Sequence, residues 1–156
     1  MVNFVCRIYC RTVNKFCHIG SHKRLLMHQL YIKGTEITPE INFSPMEGIY
    51  KIIGKSIPED ADGFYQPILD WLDVFSNNVT GEIHLRIELE FFNISSSKRI
   101  LFMMYKLNEF VENGEKVKIT WVYRENDDDM FEVGQDYSFM VSIPFDFDSS
   151  PQRAIA

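Results

Sequence analysis

The segment EIHLRIELEFF at residues 82–92 constrains this chain most. Ile83, Leu85, Ile87 and Leu89 alternate with Glu82, His84, Arg86, Glu88 and Glu90, the period of a strand with one dry and one wet face. The strand runs without a linker into Asn93, a favoured N-cap residue. Ile100, Met104, Leu107 and Val111 then recur at helical spacing, with Met103 and Phe110 alongside, and Gly114 after Asn113 supplies the terminating glycine. KVKITWVYR at 116–124 follows as another strand. A strand passing straight into a helix and then into a strand builds a sheet with helices packed on it.

The flanking sequence extends the pattern. PEINFSP (39–45) and IYKIIGKS (49–56), separated by the turn residues MEG, read as a hairpin. Ser56 with Glu59 has the spacing of a capping box, and Tyr65, Ile68, Leu69, Leu72 and Phe75 follow at helical spacing. Pro67 is disfavoured within a helix, so the regular helix is expected to start near Phe64 with Pro67 in its first turn. NNVTG (77–81) reads as a loop. The acids of ENDDDM (125–130) are expected to cap a short helix that Gly134 breaks, with SFMVSIPFDF (138–147) as a last strand bearing Pro144 at the sheet margin. The expectation is therefore an α/β fold: a single domain with a mixed central sheet of about five strands and right-handed crossovers.

Charge divides the chain more sharply than its net value of -6. Residues 1–26 carry Arg7, Arg11, Lys15, Lys23 and Arg24 without any acid, a balance of +5, so the remainder stands at -11. An acidic body lacks the clustered basic face that displaces counterions from nucleic acid, which is not an expected ligand. The longest apolar run, ILFMMY at 100–105, falls far short of the roughly 20 residues that span a bilayer, so no membrane partner is expected either.

Cys6, Cys10 and Cys17 all lie in the basic segment with His18 and His22, without the second Cys/His hook of a zinc site. That segment reads as a lead-in upstream of Met27, disordered or outside the native protein, with a transit or secretory signal as the other reading. Residues 27–148 form the expected domain and 149–156 a tail. No cysteine follows Cys17, which fits a reducing cytoplasm. No cofactor or metal is expected. His84 falls on the polar phase of its strand, and the acids at 125–129 lack the spacing, turn glycine and terminal glutamate of a calcium loop.

Ser95, Ser96 and Ser97 occupy the first turn of the helix after Asn93, where backbone N–H groups lack intrahelical acceptors and the helix dipole favours negative charge. Such serines serve as ordinary capping residues, and they also make a place where a phosphate is welcome.

GTEITPEI (34–41), SIPEDADGFYQPILDWL (56–72), FFNISSSK (91–98) and DDDMFEVGQDYSFMVSIPF (127–145) together resemble the SiaC-type family of small bacterial regulatory phosphoproteins. The resemblance spans about Leu30 to Phe147. It implies a STAS-like domain, similar to anti-anti-sigma factors, that catalyses nothing and works as a phosphorylation switch. A serine/threonine kinase modifies a hydroxyl at this helix start, a PP2C-type phosphatase removes the group, and the unmodified form binds a diguanylate cyclase, linking it to cyclic di-GMP and biofilm behaviour. The family run is Asn-Thr-Ser-Ser, with the threonine as acceptor, whereas this chain places Ile94 there. Ser95 or Ser96 is then the candidate acceptor, or the protein stays unmodified. Asn93, Phe91, Phe92 and Ser97 complete the candidate cap and partner-binding surface. Two other classes stand beside the switch: a constitutive interaction scaffold, and a metal-dependent hydrolase using the acids at 125–129. The hydrolase lacks a nucleophile with a partner base, since His28 and His84 are the only histidines after residue 26.

Overall fold

The computed structural model describes residues 29–76 and 81–151. The lead-in at 1–26, Met27, the three cysteines and all but Gly81 of the loop at 77–81 lie outside the described residues. Six strands form one sheet in sequence order: β1 (Leu30–Ile32), β2 (Glu40–Ser44), β3 (Ile49–Ser56), β4 (Ile83–Phe92), β5 (Val117–Arg124) and β6 (Phe145–Ser150). The first three pair antiparallel, and β3 to β6 pair parallel. Each parallel connection carries a helix: α1 (Ala61–Phe75), α2 (Ile94–Glu112) and α3 (Asp128–Met140). The mixed α/β sheet is as the sequence implies, with β1 added as a sixth strand.

Alternation decides which face is dry. Ile41 and Phe43, Tyr50 and Ile52, the β4 set Ile83, Leu85, Ile87 and Leu89, and then Val117, Ile119 and Trp121 are all buried in one core with Ile68, Leu72, Ile100, Met103, Met104 and Leu107 of the helices. Each such side chain contributes roughly 1.5–3 kcal/mol on burial, well above the few tenths that separate helix propensities, so packing holds these helices in place. Parallel sheets usually have both faces covered, but here the other phase of the strands carries charge. Arg86 pairs with Glu88 at 3.3 Å and with Asp148 at 3.1 Å, Arg124 pairs with Glu90 at 3.1 Å, and Lys118 pairs with Asp146. His84 on this face hydrogen-bonds Thr120 at 2.7 Å.

Four local expectations need correction. The first helix starts at Ala61, not near Phe64, because Asp60 caps it by accepting from the Gly63 N–H at 2.9 Å. Ser56 ends β3 and is buried, so it caps nothing. Pro67 is seated in the interior of α1 on its exposed side, as is Gly63, whose carbonyl the proline leaves without its helical donor but open to water. The third correction concerns Gly134, which lies within α3 rather than breaking it, so Ser138 to Met140 are helical and the last strand begins at Phe145. Finally, β6 continues to Ser150, two residues into the stretch read as a tail. The acids at its start do cap α3, since Asp127 accepts from the Met130 N–H at 3.0 Å and Asp128 and Asp129 fill the first turn.

Candidate functional site at the start of α2

Strands β3 to β6 end on one side of the sheet, and each of the three helices begins there within a few residues of its strand. Between β4 and α2 the connection is Asn93 alone. Its N–H donates to the Ser56 carbonyl at 3.0 Å, its side chain accepts from the Ser96 N–H at 2.8 Å, and its carbonyl accepts from the Ser97 N–H at 2.9 Å. The cap therefore fixes the serine run both to its own helix and to β3. At the far end Gly114 adopts φ +90, the left-handed geometry that a glycine gives without strain.

Successive helical residues turn about 100° around the axis, so three consecutive serines cannot share an environment. Ser95 is exposed. Ser96 is fully buried, and its hydroxyl accepts from Ser56 Oγ at 2.9 Å, while Ser56 Oγ is also 2.8 Å from the Tyr65 hydroxyl of α1. Ser97 is half-buried, with Oγ 2.9 Å from the Tyr137 hydroxyl of α3, which also donates to the Ser97 carbonyl at 3.2 Å. One serine faces water and two fasten the start of α2 to its neighbours. Ser56 and Tyr137 each lie 40 residues from the serine they bond, and Tyr65 reaches Ser96 only through Ser56, beyond the reach of local sequence patterns.

The tyrosines give this network a pH limit. Burial pushes the Tyr65 phenol up to about 12, against a smaller opposing effect of its bond to Ser56, and burial also raises Tyr137. A phenol raised above its unfolded value near 10 lends full stability below pH 10 and loses it as pH climbs toward 12. The urea midpoint is therefore expected to be lower at pH 11.5 than at pH 8, as the α1–α2 packing around Tyr65 weakens. An unchanged midpoint at pH 11.5 contradicts a neutral, buried Tyr65.

Contacts also define the two flanks of α2. Toward α1, Arg99 Nε donates to Asp62 at 2.6 Å, and Lys106 pairs with Asp73. On the opposite flank, about three turns along the helix from Ser97, Asn108 accepts from the N–H of Ser142, just past the end of α3, at 2.7 Å. Helical spacing puts Ser95 on one stripe with Arg99 and Phe102, and Ile94 on the next with Leu101 and Tyr105. The guanidinium of Arg99 lies 5.7 Å from the centre of the Phe102 ring. Its hydrogen bond holds the Asp62 carboxyl below the usual carboxylate range.

Of the candidate apolar residues, Ile94 is 78 % exposed and Phe91 57 % exposed. Phe92 is half-buried, edge-on to Trp121 at 6.4 Å, so it supports the surface more than it forms it. Among the described residues no group of three or more His, Cys, Asp or Glu side chains is placed to hold a metal ion, and no helix is long and apolar enough to cross a membrane.

The protein is thus a mixed α/β domain that leaves the Ser95 hydroxyl and the side chains of Phe91 and Ile94 bare around the capped start of α2. Comparison with known proteins gives the particular family: residues 32–150 match the SiaC family, described as SiaC family regulatory phosphoprotein, and the chain belongs to it. An uncharacterized protein of Pseudomonas aeruginosa (strain UCBPP-PA14) is 27% identical over 119 residues, covering 76% of this chain and 94% of that one. Among solved structures, apo-SiaC from Pseudomonas aeruginosa is 25% identical with a TM-score of 0.73, over 78% of this chain and 99% of that one. SiaC crystallised with the diguanylate cyclase SiaD, which it activates, is 26% identical with a TM-score of 0.73 over the same shares.

Proposed function

We propose that this protein is a non-enzymatic cytoplasmic switch that binds and activates a diguanylate cyclase, and that phosphorylation of Ser95 turns it off. A serine/threonine kinase transfers the terminal phosphoryl group of a nucleoside triphosphate to Ser95 Oγ, and a PP2C-type phosphatase hydrolyses it. The cyclase assignment rests on the relative solved with SiaD. The observation that carries the choice of acceptor is exposure: Ser95 is bare, Ser96 is fully buried and Ser97 is held by Tyr137. Phe91 and Ile94 form the docking face, and Asn93, Phe92 and Ser97 fix its shape. A phosphate adds about -1.5 to -2 charges beside that apolar face, which weakens docking without refolding.

A second reading has its own observation. An apolar side chain 78 % exposed at the family's acceptor position suits a constitutive binding surface without modification. The test is co-expression with the cognate kinase, mass-spectrometric mapping of residues 91–98, and cyclase activation by the wild type, Ser95→Ala and Ser95→Asp. The switch predicts phosphate on Ser95, activation by the wild type and Ser95→Ala, and at least tenfold weaker activation by Ser95→Asp. No phosphate on 95–97, with equal activation by all three proteins, establishes the constitutive scaffold instead.

A further inference from the structure

Arg99 and Asp62 form an ion pair between α2 and the first turn of α1. Arg99 reaches Asp62 through Nε alone at 2.6 Å, although a guanidinium carries five N–H donors in a planar fork. Its terminal nitrogens make no other hydrogen bond or ion pair among the described contacts. The side chain is only 24% exposed and packs over Phe102, so its direction is set in advance. Arg99 also lies four residues after Ser95, the spacing at which helical side chains meet, with Cβ atoms about 6 Å apart.

We propose that Arg99 is the phosphate receptor of this domain. A phosphoryl group on Ser95 is taken by the terminal nitrogens of Arg99 across one helical turn, while Nε stays on Asp62. The result is a phosphate, guanidinium and carboxylate chain that joins α2 to the first turn of α1. This rests on the reading of Ser95 as the acceptor and adds how the domain holds the modified state. Two acids, Asp60 and Asp62, lie on the α1 side, and Asp60 and Asp62 both act on Arg99. Without the guanidinium a phosphate at Ser95 meets net negative charge there, and Lys98, exposed on the Ile94 stripe, is the other cation of the turn.

Phosphoserine placed at position 95 during translation makes the test independent of any kinase. Phosphorus NMR then follows the second ionisation of that phosphate in the full chain. The clamp predicts an apparent pKa lower by about 0.5 unit or more than in the same protein with Arg99→Gln, because a nearby cation favours the dianion. Arg99→Lys should restore part of the shift, and Asp62→Asn, which leaves Arg99 intact and frees it from competition, should deepen it. Equal titration with and without Arg99 overturns the proposal, as does a shift that Lys98→Gln removes and Arg99→Gln leaves. Absence of kinase-made phosphate on Ser95 in wild-type protein is a separate result that bears on the acceptor, not on the clamp.

Discussion

Ser96→Asp is expected to cost this domain about 3–5 kcal/mol, while Ser95→Asp, one residue earlier, leaves it slightly more stable. The contrast follows from 100° of helix rotation. Ser96 is fully enclosed by β3, α1 and its own helix, with only the Ser56 hydroxyl to offer a proton. A carboxylate there loses its hydration and gains one donor, against a desolvation cost of several kcal/mol for an unpaired ion. Protonation relieves the charge but leaves an acid too large for a space filled by a serine. At position 95 the same carboxylate stands in water at the helix start, where the dipole stabilises it by about 0.3–1 kcal/mol. Domains of this size carry only about 5–15 kcal/mol in total, so thermal unfolding followed by circular dichroism should separate the two variants by roughly 10 °C or more. Equal melting temperatures refute the enclosed position of Ser96. The functional consequence is direct: a kinase acting on the folded domain reaches Ser95 without opening the packing between α1 and α2, and reaches Ser96 only by opening it.

How far the sequence foretold this varies with the range of the interactions involved. The β4 strand and α2 were legible because strict alternation, Asn93 and Gly114 are local signals, and each acts in the structure as its chemistry suggests. The serine run was legible as a helix start but not in its division of labour, because Ser56, Tyr65 and Tyr137 come from three other elements. Ser56 itself misled, since a serine three residues before a glutamate looks like a capping box whether or not a tertiary partner claims its hydroxyl. Exposed Ile94 was readable as a departure from the family run, whereas the role of Arg99 was not, because its partner Asp62 is 37 residues away.

Gly134 was misread for a related reason, and its replacement by alanine is the second large effect expected. Glycine is a poor helix former, by about 1 kcal/mol against alanine, so a glycine within a helix pattern reads as a stop. Here the position is used for close approach instead. A Cβ on Gly134 would stand 2.5 Å from Cδ1 and 2.6 Å from Nε1 of Trp121, distances that real Cβ atoms do not tolerate. The indole cannot yield easily. It is 1 % exposed, donates from Nε1 to the Met130 carbonyl at 2.9 Å, and is wedged edge-on between Phe92 and Tyr137. Overpacking of this kind costs about 1–3 kcal/mol and occasionally more, which exceeds the propensity that alanine returns, so Gly134→Ala should destabilise by about 1–2 kcal/mol and Gly134→Val by more. Because Tyr137 touches both the indole and Ser97, the displaced ring also loosens the cap of α2. Amide exchange at Ser96 and Ser97 should therefore accelerate in Gly134→Ala even where the protein remains folded. Unchanged stability and unchanged exchange in that variant exclude the route from Trp121 through Tyr137 to the serines.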